Sequence, residues 1–199
     1  MRIRRIAISL FCALICFIGL VLMWGTPPST PVGITCVARD RTCVQLPNIS
    51  GANLNGEEYN FPMGFTHTYQ LVVMPFDRDQ QMKVLDFVPL FQELSASRPD
   101  LGYYSLAALN DVAAPIRLLI SGGMTAAVTD PAVRKAAYIF YLEDQEAFLQ
   151  ALGVPDKNTI RVFVFDQAGN VLWQASGDFT PELAEQIRGA IEGLPTANS

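Results

Sequence analysis

The residues able to carry redox or metal chemistry are few. The chain has 199 residues, four cysteines (Cys12, Cys16, Cys36 and Cys43) and a single histidine, His67. Thiol–disulfide exchange needs a thiolate, which forms where a helix N-terminus or a neighbouring cation lowers the thiol pKa. Cys12 and Cys16 lie inside an apolar run and read as apolar filler. Cys36 and Cys43 lie in ITCVARDRTCV, two β-type runs about Arg39-Asp40. A two-residue turn there would place the two thiols opposite each other across a hairpin. In an oxidising compartment they are expected to form a structural disulfide. Closing so short a loop contributes roughly 2–3 kcal/mol. A redox pair and two unpaired thiols are the other readings, and C-x6-C matches no usual redox motif. His67 falls in a polar loop without the gathered ligands of a metal site. No phosphate-cradling glycine motif occurs. The expectation is no catalytic residue, no metal and no cofactor.

The elements that would position such chemistry begin with an anchor. Arg2, Arg4 and Arg5 precede the uncharged run Ile6 to Trp24, and no further Lys or Arg occurs until Arg39. Nineteen helical residues span about 28 Å, enough for a bilayer core. The arginine bias leaves the N-terminus in the cytoplasm and the rest outside. A cleaved signal has a shorter apolar region and ends in small residues, whereas this run ends Leu-Met-Trp. Residues 1–24 are therefore read as a single-pass anchor of a bacterial cytoplasmic membrane. Residues 25–45 are read as a Pro-rich tether with the Cys hairpin, 46–194 as the main domain and 195–199 as a tail.

Composition narrows the partners. Half the residues are hydrophobic, only 17% are charged and the net charge is −5, which argues against disorder and against nucleic acid. Beyond the arginine cluster the acidic excess grows, so the domain should not hug an anionic membrane; it stands off or docks on a protein.

The domain itself reads as alternating strands and helices. Leu46 to Pro62 suggests short strands about the Asn55-Gly56 turn. Tyr69 to Phe76 is a short apolar, β-branched strand. Asp77 to Ser97 has helical periodicity, with Asp77 or Asp79 as cap and a kink at Pro89. Leu101 to Leu109 is a second strand. A helix opened by Asn110 or Asp111 follows over Pro115 to Val128, broken at Gly122-Gly123. Next come a helix start at Asp130-Pro131, a strand Ala137 to Leu142 and a helix capped by Asp144 and ended by Gly153. A hairpin (Ile160 to Phe165 with Val171 to Ala175) and a helix from Thr180 close the chain. The order predicts an α/β sandwich around a mixed sheet.

That order, with Leu46-Pro47-Asn48, Asn55-Gly56-Glu57, Phe91-Gln92-Glu93-Leu94 after Pro89, and Val162 to Trp173, resembles the thioredoxin-like superfamily in its membrane-anchored oxidoreductase and peroxiredoxin branches. The resemblance implies a three-layer thioredoxin-like fold. It also implies a Cys-x-x-Cys at the first helix and a cis-proline before the terminal hairpin. Counting places Gln81 and Val84 at the two cysteine positions and Thr159-Ile160-Arg161 at the proline loop, so both halves of the redox site are missing. The stretch Ile116 to Leu194 is similar to the mitochondrial ATP synthase assembly-factor family, whose members keep the fold without redox cysteines and chaperone a membrane subunit. The functional expectation is a redox-inactive assembly or binding factor, the alternative an oxidoreductase using Cys36 and Cys43. Phe76, Asp77, Arg78, Gln81, Val84, Thr159, Ile160 and Arg161 are expected to form the partner surface, with Met74-Pro75-Phe76 as an exposed apolar groove.

Overall fold

In the computed structural model, residues 43–196 are described. The anchor run, the tether to Arg41 and Cys36 lie outside them. Strands β1 (Ile49–Asn53) and β2 (Glu58–Phe61) form a hairpin closed by Asn55-Gly56, with Gly56 at φ 84°. Asn53 fixes the turn, its side-chain oxygen accepting from the amides of Asn55 and Glu57, each at 3.0 Å. Strand β3 (Tyr69–Met74) leads to helix α1 (Arg78–Lys83), a 3-10 turn (Val84–Phe87) and helix α2 (Val88–Ser97). The kink expected at Pro89 appears as that 3-10 turn, one turn earlier. Proline's ring collides with the carbonyl four residues back, so regular helix yields before the proline itself.

Strand β4 (Leu101–Asn110) is followed by helices α3 (Ala114–Ala127) and α4 (Pro131–Ala136) and strand β5 (Ala137–Leu142). Helix α5 (Gln145–Ala151), strands β6 (Arg161–Asp166) and β7 (Val171–Ser176), and helix α6 (Pro181–Glu192) complete the order. Two expectations for α3 fail. Asn110 ends β4 and Asp111 pairs with Arg117, so the helix opens at Ala114 without a side-chain cap. Gly122-Gly123 does not break it. A glycine costs a helix only about 1 kcal/mol relative to alanine, which a fourteen-residue helix tolerates.

The strands form one mixed sheet in the order β2-β1-β5-β4-β3-β6-β7. β3, β4 and β5 run parallel, joined by helical crossovers, while β1 and β6 lie antiparallel to their neighbours. β3 is an interior strand, between β4 and β6, and is buried on both faces, which is why YQLVVM lacks alternation. Val72 and Met74 face a core with Leu106, Phe140, Phe163 and α5 residues Phe148 and Leu149. Leu71 and Val73 face the other core, with Phe87 and Phe91 and the α6 residues Leu183, Ile187 and Ile191. Val44 and Gln45, read from sequence as linker, lie against the β6–β7 turn. The Leu46 amide donates to Gly169 O and the Val171 amide to Val44 O, both at 2.8 Å. No helix of the described residues is long and apolar enough to cross a membrane.

Two glycines separate packing from propensity. A Cβ on Gly51 would meet the Ile139 carbonyl oxygen and the Phe140 ring at 2.4–2.8 Å, whereas one on Gly122 meets nothing within 4 Å. Gly51→Ala should therefore destabilise the fold by about 1–3 kcal/mol. Gly122→Ala should stabilise it by about 0.5–1 kcal/mol. Equilibrium denaturation of each variant against the parent measures both signs.

Candidate functional site

The sequence-predicted positions meet at the end of the sheet where β3 gives way to α1. Asp77 caps α1, its Oδ1 accepting the Gln80 amide at 2.9 Å. Arg161 pairs with Met74 across β3 and β6, which brings the 159–161 stretch alongside. The structure thus gathers Phe76, Asp77, Arg78 and Arg161 at one end of the sheet.

What fills that end is a ring of glutamine contacts. Gln80 Oε1 accepts from the Phe76 amide at 2.9 Å, and Gln80 Nε2 donates to Lys157 O at 2.7 Å. Gln145 Nε2 donates to Phe76 O at 2.9 Å and to Ala108 O at 2.7 Å. Lys157 Nζ closes the circuit on Gln145 Oε1 at 3.4 Å. Both backbone groups of Phe76 are thereby satisfied by side chains, and Gln80 and Gln145 are 5% and 3% exposed. The ring joins the end of β3, the first turn of α1, the start of α5 and the loop before β6. Neither glutamine stood out in the sequence. Asp77-x-x-Gln80 is the spacing of a capping box, and that signal was available. Here the N3 side chain reaches one residue past the cap, to Phe76.

The counted cysteine positions are not at the helix N-terminus. Gln81 is the fourth residue of α1, and Val84 lies in the 3-10 turn. The positions where a helix dipole would lower a thiol pKa hold Asp77, Arg78, Asp79 and Gln80. No cysteine follows Cys43 in the chain. Cys43 is disulfide-bonded, and its expected partner Cys36 lies outside the described residues. Among the described residues the one cis peptide bond is Phe61–Pro62, so the 159–161 loop has none. His67 is half-buried rather than exposed, its Nδ1 3.1 Å from Thr66 Oγ1. No group of three His, Cys, Asp or Glu able to hold a metal occurs among the described residues.

Burial corrects the expected partner surface. Met74 and Phe76 are 0% and 2% exposed, because the chain leaving β3 continues beneath α5 rather than over a groove. Gln81, Val84 and Ile160 are buried as well. None of these side chains offers an exposed face to a docking protein, though Gln81 borders a cleft. Asp77, Arg78 and Thr159 are exposed. Arg161 is half-buried, and burial pushes its guanidinium below its ordinary pKa, with Asp156 opposing. Among the described residues its Nε finds no hydrogen-bond acceptor. Apart from Met63 after β2, the large exposed apolar side chains are Met82 on α1 and Ile116, Leu118 and Leu119 on α3, a helix with no buried residue.

A central parallel β-α-β unit, an antiparallel hairpin beside it and a closing helix define the thioredoxin-like fold. Comparison with solved structures agrees. A thiol:disulfide interchange protein from a Bacteroides species is 14% identical, with TM-score 0.50, over 76% of this chain and 91% of that one. An exposed lipoprotein thioredoxin from Streptococcus pneumoniae strain TIGR4 is 10% identical, with TM-score 0.50, over 74% of this chain and 99% of that one. Identities of this size show the fold alone. No protein-family model matches the chain. No curated protein matches it either. The narrower likeness to the mitochondrial ATP synthase assembly-factor family finds no support in these comparisons.

The ring gives a direct test. Gln80→Leu leaves the Phe76 amide and the Lys157 carbonyl without their partner, and should cost about 2–3 kcal/mol. Gln145→Leu should cost a similar amount. Because both act on Phe76, the double variant should fall short of the sum by at least about 0.5 kcal/mol in equilibrium denaturation.

Proposed function

We propose that this chain is a membrane-tethered, extracytoplasmic thioredoxin-like module that binds or assembles another protein and does not exchange disulfides at the usual site of its fold. The single observation that supports this reading is the glutamine ring. Gln80 of that ring lies in the first turn of α1, and the two positions where the resemblance calls for thiols hold Gln81 and Val84. A carboxamide cannot form a mixed disulfide. The described residues are also acidic outside the apolar face of α3, which suits a protein partner better than an anionic surface. The anchor at residues 6–24 would raise the module's effective concentration near a membrane-bound partner.

A second reading is thiol–disulfide exchange through Cys36 and Cys43. Two observations favour it. Cys43 is in a disulfide, and the solved neighbours carry the names of a thiol:disulfide interchange protein and a thioredoxin. Reduction of insulin disulfides by the full chain, pre-reduced and assayed with a turnover reductant, separates the two. The binding reading expects a rate equal to the buffer blank in the parent and in Cys36→Ser. Turnover in the parent that Cys36→Ser abolishes would establish the redox reading instead.

A further inference from the structure

A cleft runs between α1–α2 on one side and α3–α4 on the other. Its open part, about 410 Å³, is lined by Arg78, Gln81 and Met82 and, across from them, by Leu119, Ile120 and Met124. Gln81 and Met124 also line a narrow apolar cavity of about 40 Å³ that carries the cleft inward. Leu85, Val88 and Val128 border both that cavity and a further opening of about 260 Å³. The lining is therefore continuous from Arg78 at one end to Val128 at the other.

Within the 410 Å³ part, polarity is concentrated at the α1 wall. Arg78 is the one charged residue of the 410 Å³ part. Gln81 lies three residues further along α1, on the same helical face. Gln81 is 8% exposed, and its Nε2 finds no acceptor among the described residues. A buried amide N–H without an acceptor is rare in folded proteins and calls for a partner. Beyond these two groups the rest of the 410 Å³ part is apolar, the inner cavity adds Phe87, Phe91 and Tyr103, and Thr129 and Asp130 border the far opening. Gly122 and Gly123 of α3 add no bulk, since a Cβ at either would meet open space.

The required occupant has a negatively charged acceptor at one end and a slender apolar body. A partner helix is about 10 Å across and cannot enter the narrow part. A methylene chain can. We propose that the cleft binds a long-chain aliphatic carboxylate. The carboxylate accepts from Arg78 and from Gln81 Nε2, while the chain lies along Met82, Leu119 and Met124 toward Val128. The volume falls within the range of small-molecule sites, and the distribution of few polar groups on an apolar wall matches them. The proposal is independent of whether the chain binds a protein partner.

The test uses the full chain, delipidated and held in an amphipathic polymer, with a sixteen-carbon carboxylate bearing a photoactivatable group at its chain end. Saturable labelling of the segment 116–128 is expected. Hexadecanoate should displace the probe, and hexadecanol should compete at least about tenfold less well, because it cannot make the charge-assisted contacts. Gln81→Leu should weaken binding about tenfold yet raise the melting temperature, since it removes an unpaired buried amide. A purely structural role for Gln81 would not give those opposite signs. Leu119→Glu, at a position 74% exposed, should abolish labelling with the fold intact. Unsaturable labelling, equal competition by hexadecanol, or displacement by an uncharged Leu-Ala peptide but not by hexadecanoate would overturn the proposal.

Discussion

Where β3 ends, the chain must turn into α1 while its backbone is still buried. Phe76 sits at that point, 2% exposed. A buried amide or carbonyl left without a partner costs about 1–3 kcal/mol, so the turn is stable only if something supplies both hydrogen bonds. For the preceding residue the next strand supplies the bond, the Ala108 amide donating to Pro75 O at 3.0 Å. Gln80 and Gln145 supply those of Phe76, one accepting from Phe76 N and the other donating to Phe76 O. The position of α1, of α5 and of the loop carrying Lys157 follows from these two side chains.

The arrangement has a chemical consequence. Amides do not titrate, so the bonds of Gln80 and Gln145 to Phe76 hold across pH without the switching a carboxylate or histidine would bring. Nor do they offer a nucleophile. At the end of the sheet that the thioredoxin resemblance marks for chemistry, Phe76 and the two glutamines form a buried joint, with Asp77, Arg78 and Thr159 exposed around it. Further along α1, Met82 faces solvent, 59% exposed, across from the exposed aliphatic side chains of α3. Structure and candidate activity are thus divided between neighbouring turns of one short helix.

Much of the fold was legible from local pattern. Asp77, Asp130, Asp144 and Thr180 cap helices as their residue types indicate, each accepting a nearby backbone amide. The run YQLVVM declares a doubly buried strand, and Asn55-Gly56 declares its turn. The ring was not legible, because its contacts join residues 69 and 77 positions apart, and nothing local distinguishes Gln145 from a solvated helix residue. The burial of Met74 and Phe76 escaped for the same reason: α5 covers them from a distant part of the chain. Gly122-Gly123 misled in the opposite sense. Two helix-weakening residues suggested a break, but their cost is small against the length of α3.

Native-state hydrogen exchange at the Phe76 amide tests the central claim most directly. The amide lies outside every strand and helix, so its protection depends on Gln80 Oε1. The account predicts exchange as slow as that of the β3 amides, and a fall to loop-like rates in Gln80→Ala while the β3 amides stay protected. Fast exchange in the parent chain, or protection unchanged by Gln80→Ala, would contradict it.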